Sequence, residues 1–280
     1  MRCAGIAWGL LAFAPLAAAQ TPPAAPKNLA PITVPQTAAP VAGLAAPPVA
    51  PAPAALPAAL VNHLTMWETK HKTISSYYNT ADRVNRNLLT RKETKSEGTI
   101  MCLKPNYAWV QMANTADKNR WEAYISEGRS LFAYDSGKKS VKEFRLPQGA
   151  AIEGNLLLEF MSGALSAKDV MGRFELRLAR EEEYYTHIEL KPKRGKDKEE
   201  FETMTLVLYT DKVKGLEYLP KIVVIRANNG EDEEQWTFSD KPKLNNPGLT
   251  AGSFKYQEPP PGWTKVPPQQ VGGAQGLPRK

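Results

Sequence analysis

Two cysteines and three histidines among 280 residues leave little material for metal or nucleophile chemistry. His63, His71 and His187 have no further ligand at metal spacing. His63 and His71 flank a helical stretch, where a solvated or capping role is expected. Cys-x-x-Cys, His-Glu-x-x-His, Gly-x-Ser-x-Gly and a glycine-rich phosphate loop are all missing. The acidic run from Glu231 to Glu234 lacks the glycine-interrupted oxygen spacing of a calcium loop. The sequence calls for no metal, no cofactor and no catalytic group, so the protein is read as a non-enzyme.

A second long apolar run is also missing. The only one, Ile6 to Leu16, follows Arg2 and closes on Ala17-Ala18-Ala19. That pattern predicts a secretory signal peptide over residues 1–19, cleaved to expose Gln20. The run is short of the about 20 apolar residues that a spanning helix needs. Cys3 precedes it and cannot be a lipidated residue just after a cleavage site. Cleavage leaves Cys102 without a disulfide partner, so stability must come from a packed core. Within Ile100-Met101-Cys102-Leu103 this cysteine reads as a buried small hydrophobe. The formal charge of +7 is spread along the chain. Its densest basic patch, Lys191 to Lys198, contains Asp197 and runs into Glu199-Glu200, which reads as a solvated loop. No nucleic-acid motif accompanies it. The expectation is an exported, soluble, periplasmic monomer that binds no nucleic acid and does not insert stably into a membrane.

Residues 20–57 hold eleven of the 24 prolines and one charge, Lys27. Proline fixes φ and removes a donor, so this stretch is expected to be a disordered, extended, polyproline-like linker. Residues 267–280, rich in Pro, Gly and Gln, are expected to be a disordered tail. Residues 58–266 remain for one domain. It opens with an amphipathic helix, since Leu60, Leu64 and Trp67 share a face and Pro57 suits the first turn. Short alternating strands follow at 108–112, 120–125, 131–134 and 140–146, with Gly128 and Gly137 in the turns. One or two short helices are predicted between 153 and 171, where Ser166-Ala167-Lys168-Asp169 is a helix start. Strands resume at 174–178, 185–190, 205–209, 221–226 and 234–238, the last two joined by the turn Asn228-Asn229-Gly230. The fold class is α+β, with about eleven antiparallel strands around a small helical insert.

Aromatic residues fall on many of these strands. Trp109, Phe132, Tyr134, Phe174 and Trp236 are among them. Gathered on the concave face of a curved sheet, they would line either an ordinary core or a cavity for an acyl chain, which needs apolar walls and little polar chemistry.

The order of several segments resembles the periplasmic lipoprotein-carrier superfamily, LolA-like, with relatives in LolB and RseB. Ile74-Ser75-Ser76-Tyr77 is similar to the family's first strand after its N-terminal helix. Glu97-Gly98-Thr99 and Leu103-Lys104-Pro105-Asn106, followed by Ala108-Trp109-Val110, resemble its next signature. Residues 125–135, around Glu127-Gly128-Arg129, resemble a hairpin of the family. His187 to Lys193 and Phe254 to Val266, with Pro260-Pro261-Gly262-Trp263, complete the series. The Pro/Ala stretch ahead of the domain resembles architectures of planctomycete proteins.

The resemblance implies a strongly curved antiparallel half-barrel with an N-terminal helix and short lid helices on its concave face. It implies a hydrophobic cavity that binds or carries an acylated lipid or lipoprotein. The cavity candidates are Trp67, Trp109, Phe132, Tyr134, Leu157, Phe160, Met161, Phe174 and Trp236. Lys104 stands where the family carries a lid-latching basic residue. The alternative is a sensor or interaction module on the same fold that binds an envelope partner protein.

Overall fold

A computed structural model describes residues 56–146, 156–193 and 195–270. The signal peptide, nearly all of the linker and the last ten residues of the expected tail lie outside the described residues.

The first helix, α1 (Ala58–Lys72), buries Leu60, Leu64, Trp67 and His71, the stripe that its apolar spacing dictates. Pro57 is its N-cap, and Lys70, His71 and Lys72 fill its last turn, where cations complement the helix dipole. Six strands follow: β1 (Ser76–Asn87), β2 (Lys92–Leu103), β3 (Tyr107–Asn114), β4 (Trp121–Glu127), β5 (Ser130–Asp135) and β6 (Ser140–Arg145). Each pairs antiparallel with the next. Two short helices, α2 (Leu156–Ser162) and α3 (Ala167–Arg173), occupy the predicted insert. At the start of α3, Ser166 and Asp169 form a reciprocal capping box.

A second antiparallel meander comprises β7 (Phe174–Glu181), β8 (Tyr185–Pro192), β9 (Thr203–Tyr209), β10 (Pro220–Arg226) and β11 (Asp232–Phe238), with α4 (Lys196–Glu200) between β8 and β9. The two-residue β12 (Lys243–Leu244) pairs with β1. A 3₁₀ turn, Ala251–Phe254, then leads to β13 (Thr264–Gln270), which pairs parallel with β6. Strand pairing thus extends past Val266, where the sequence placed the start of the tail.

The strand order is β13-β6-β5-β4-β3-β2-β1-β11-β10-β9-β8-β7. Two meanders are therefore joined at one seam, β1 against β11. The architecture is α+β, as expected, but the strongly curved half-barrel of about eleven strands is corrected. The sheet has thirteen strands among the described residues and stays open, with β13 and β7 as separate edges. The two strands beyond the expected count are β12, only two residues long, and β13, which contains two prolines; β2 begins Lys-Glu-Thr-Lys-Ser-Glu, so its first half shows no apolar alternation.

This order also explains the helices. The chain leaves β6, near one end of the order, and re-enters the sheet at β7, its other edge. The connection carries α2 and α3, and their apolar residues join α1 in one cluster with side chains from both meanders.

Candidate ligand-binding face

Alternation along each strand sends side chains to opposite faces of the sheet, and two apolar clusters result. The larger one lies under the helices. It gathers Leu60, Leu64 and Trp67 of α1, Leu157, Phe160 and Met161 of α2, and Val170 of α3. From the sheet it takes, among others, Ile100, Val110, Phe174, Ile188 and Trp236. The Trp67 ring lies 5.5 Å from that of Phe160. Six of the expected cavity residues, Trp67, Leu157, Phe160, Met161, Phe174 and Trp236, meet here and are buried.

The other three lie elsewhere. Phe132 and Tyr134 join Ala123, Ile125 and Val141 in a second cluster, with Trp109 and Trp121 packed against it. The C-terminal segment covers this face. Trp263 stacks on Trp121 with ring centroids 5.4 Å apart, and Tyr256 sits 4.6 Å from Phe132. The Tyr134 hydroxyl donates to the Gln257 carbonyl oxygen at 2.7 Å and accepts from the Gln257 amide at 3.1 Å. Strand periodicity marks these aromatics as inward on some face but not which face the helices cover.

The helices are tied to the sheet and to each other by a few polar links. Lys104 Nζ donates to the carbonyl oxygen of His71 at 2.5 Å, next to the C-terminal end of α1. Lys70 pairs with Glu217 at 2.9 Å, which holds that carboxylate down at about 2. Glu68 accepts the Ala167 amide at 2.9 Å, joining α1 to the start of α3. Arg173 bridges Glu159 of α2 and Asp197 of α4, each at 2.6 Å.

His71 is the least comfortable group in this layer. It is 3% exposed, and its Nε2 has no hydrogen-bond partner among the described residues. Its ring lies 5.3 Å from that of Trp67. Gly163, at φ +67°, comes so close that an added Cβ would meet the His71 Cβ at 3.0 Å. Burial, then the positive charges of Lys104 and Lys70, push the imidazole down to about 3, so it is neutral at ordinary pH. Cys102 is also buried, and burial pushes its thiol up to about 12. No thiolate is therefore available for chemistry at neutral pH.

Beyond the helices the same sheet turns polar. Arg83 of β1 forms a close ion pair with Glu122 of β4 and lies 5.2 Å from the centroid of the Trp236 ring. Trp236 Nε1 donates to Glu234 at 2.5 Å. A cavity of about 370 Å³ opens here, lined by Arg83, Glu122 and neighbours from β2, β3 and β5. The sequence reading missed this group. Arg83 continues the alternation of Tyr77, Asn79 and Ala81 toward the inner face, but only the register of four strands reveals that it meets Glu122.

Among the described residues no group of three or more His, Cys, Asp or Glu side chains could hold a metal ion. No helix there is long and apolar enough to cross a membrane.

No family model matches the chain, and no curated protein matches it. Several solved structures do. A LolA superfamily protein from Nitrosomonas europaea is 13% identical over 70% of this chain and 96% of its own, with a TM-score of 0.38. The lipoprotein LppX of Mycobacterium tuberculosis is 12% identical over 68% and 97%, with a TM-score of 0.36. The Pseudomonas aeruginosa MucA/MucB complex is matched at 10% identity over 71% and 60%, with a TM-score of 0.37. The chain thus has likenesses among LolA-superfamily structures, at a level that carries neither cargo nor partner across to it.

Proposed function

We propose that this chain is a non-enzymatic envelope protein that binds or carries an acylated ligand, lipid or lipoprotein, between its helices and its sheet. One observation carries the reading: three helices close over a single apolar face of the sheet, and two of them sit in a connection between the sheet's two ends. Six side chains expected to line a cavity already meet in that layer. In this reading α1, α2 and α3 part to admit an acyl chain, the sheet curls around it toward a half-barrel, and Lys104 acts as a latch on α1.

The energetics are compatible with opening. Exposing one large apolar side chain costs about 1.5–3 kcal/mol, and burying an acyl chain returns about 0.8 kcal/mol per CH₂. A few methylenes offset one displaced side chain, so a long chain outweighs the loss of several internal contacts. Export to the periplasm as a soluble monomer belongs to the same proposal.

The test is direct. The domain, purified under native conditions, is extracted for lipid and titrated with a fluorescent fatty acid. Retained lipid, or saturable probe binding lost in Trp67→Asp, supports the carrier. Absence of both, together with stoichiometric recovery of one envelope protein without lipid, would instead make the chain an interaction module.

A further inference from the structure

We infer that the polar end of the sheet, beyond the helices, binds a neutral oligosaccharide. This goes beyond the acyl reading and stands independently of it.

Two adjoining cavities, about 370 and 430 Å³ in volume, share Asn85 and Thr94 as common lining. Together they form a groove running from β5 and β4 across β3, β2 and β1 to β11 and β10. Only strand and turn residues line it. Each volume lies within the range of small-molecule sites, and their continuity suits an extended ligand rather than a single small ring.

The chemistry of the walls selects the class. Amides come from Asn85, Asn114, Asn87 and Asn229, and hydroxyls from Thr94, Ser96 and Ser136. Amides and hydroxyls both donate and accept, as the hydroxyls of a sugar do; the Oδ1 atoms of Asn87, Asn114 and Asn229 already accept local backbone amides, which leaves Asn85, Thr94 and Ser96 as the main ligand groups. The charges nearly balance. Arg83 and Arg120 face Glu122 and Asp135 in one cavity, and the other is lined by two cations, Arg86 and Lys92, and three carboxylates, Asp232, Glu233 and Glu234. No excess of cations is present to draw a phosphate or a nucleic acid. Arg83 is held in place by Glu122 and Trp236, and its Nε–H lacks an acceptor among the described residues. That Nε–H is itself buried, so Arg83 serves the groove as a fixed, charge-compensated wall rather than as a donor through this atom.

A peptide fits less well. Extended peptides add to an open sheet edge, whereas β1 to β5, β10 and β11 all have ladder partners on both sides. The groove is floored by a continuous ladder and offers side-chain hydrogen bonds only.

The full chain is titrated calorimetrically with neutral glucose-based and N-acetylglucosamine-based oligosaccharides of increasing length, and with a sulfated oligosaccharide for contrast. Affinity for a neutral series should rise with chain length. The double variant Asn85→Ala/Thr94→Ala, at the junction of the two cavities, should weaken it by about tenfold or more, with fatty-acid probe binding unchanged. Thr94→Arg, at an exposed position that blocks the groove, should abolish it. Failure of all neutral oligosaccharides to bind, tighter binding of the sulfated one, or unchanged affinity in Thr94→Arg would overturn the proposal.

Discussion

The Lys104 ammonium caps α1 by donating a hydrogen bond to the carbonyl oxygen of His71, which also accepts the amide of Ile74. A cation at a helix C-terminus adds a charge-assisted hydrogen bond to a last-turn carbonyl and complements the dipole at once. Lys104→Ala should therefore destabilise the domain by about 1 kcal/mol, and Lys104→Arg, with charge and donors intact, should recover most of it. Denaturant unfolding of the three proteins checks this. Equal midpoints for Lys104→Ala and wild type would reduce Lys104 to an ordinary surface lysine.

The buried His71 makes stability depend on pH in a defined window. Its folded value is about 3, below the 6.5 of an accessible imidazole, so the unfolded chain binds the proton more readily. The contribution is complete above pH 6.5 and is lost as pH falls from 6.5 toward 3, at up to about 1.4 kcal/mol per pH unit. Around the ring, Lys104 on the β2–β3 turn and Lys70 on α1 add to the penalty for protonation. Melting curves between pH 7 and 4 should fall more steeply for wild type than for His71→Gln. Parallel curves would remove His71 as the cause.

Gly98 lies where β2 and β3 approach closely. A Cβ at that position would stand 1.8 Å from the Gln111 carbonyl oxygen, which is backbone and cannot swing away. Gly98→Ala should force the two strands apart and lower the melting temperature by several degrees or more. A Gly172→Ala control, where a Cβ meets nothing within 4 Å, should leave it nearly unchanged. Similar melting points for the two variants would refute the close approach.

On the opposite face, Trp263 stacks on Trp121, and Lys265 pairs with Glu258 at 2.7 Å. Trp263→Ala should release the C-terminal segment from the second cluster while the helix-covered core persists. Hydrogen exchange should then rise in β13 and around Tyr256 but not in β8 or β9. Uniform loss of protection would show instead that the two faces unfold as one unit.

Much of the fold was legible because burial is written as alternation. Tyr185 to Leu190 has its even positions buried, and Leu60, Leu64 and Trp67 mark the buried face of α1. The start of β2 was illegible for the opposite reason: residues 92–95 are exposed on both faces, so no period appears. The site was only half readable. Phe132 and Trp236 look alike in sequence, yet one lies under Tyr256 and the other beside Arg83. That distinction arises from the strand order and from the C-terminal segment, which are long-range facts. The contact of Arg83 with Glu122 needs the register of three ladders before it exists at all.

The seam between β1 and β11 also has a kinetic meaning. Each meander is built from neighbours in sequence, whereas Ala81 pairs with Phe238 across nearly the whole domain. Loop-closure entropy makes such a contact the costly one to form, and rates fall as contacts become less local. On the export route proposed above, a chain threaded from its N-terminus completes β1 to β6 while β11 has yet to emerge. Until β11 arrives, β1 presents an unpaired edge, and a chain in that state is open to capture by a chaperone or by another strand.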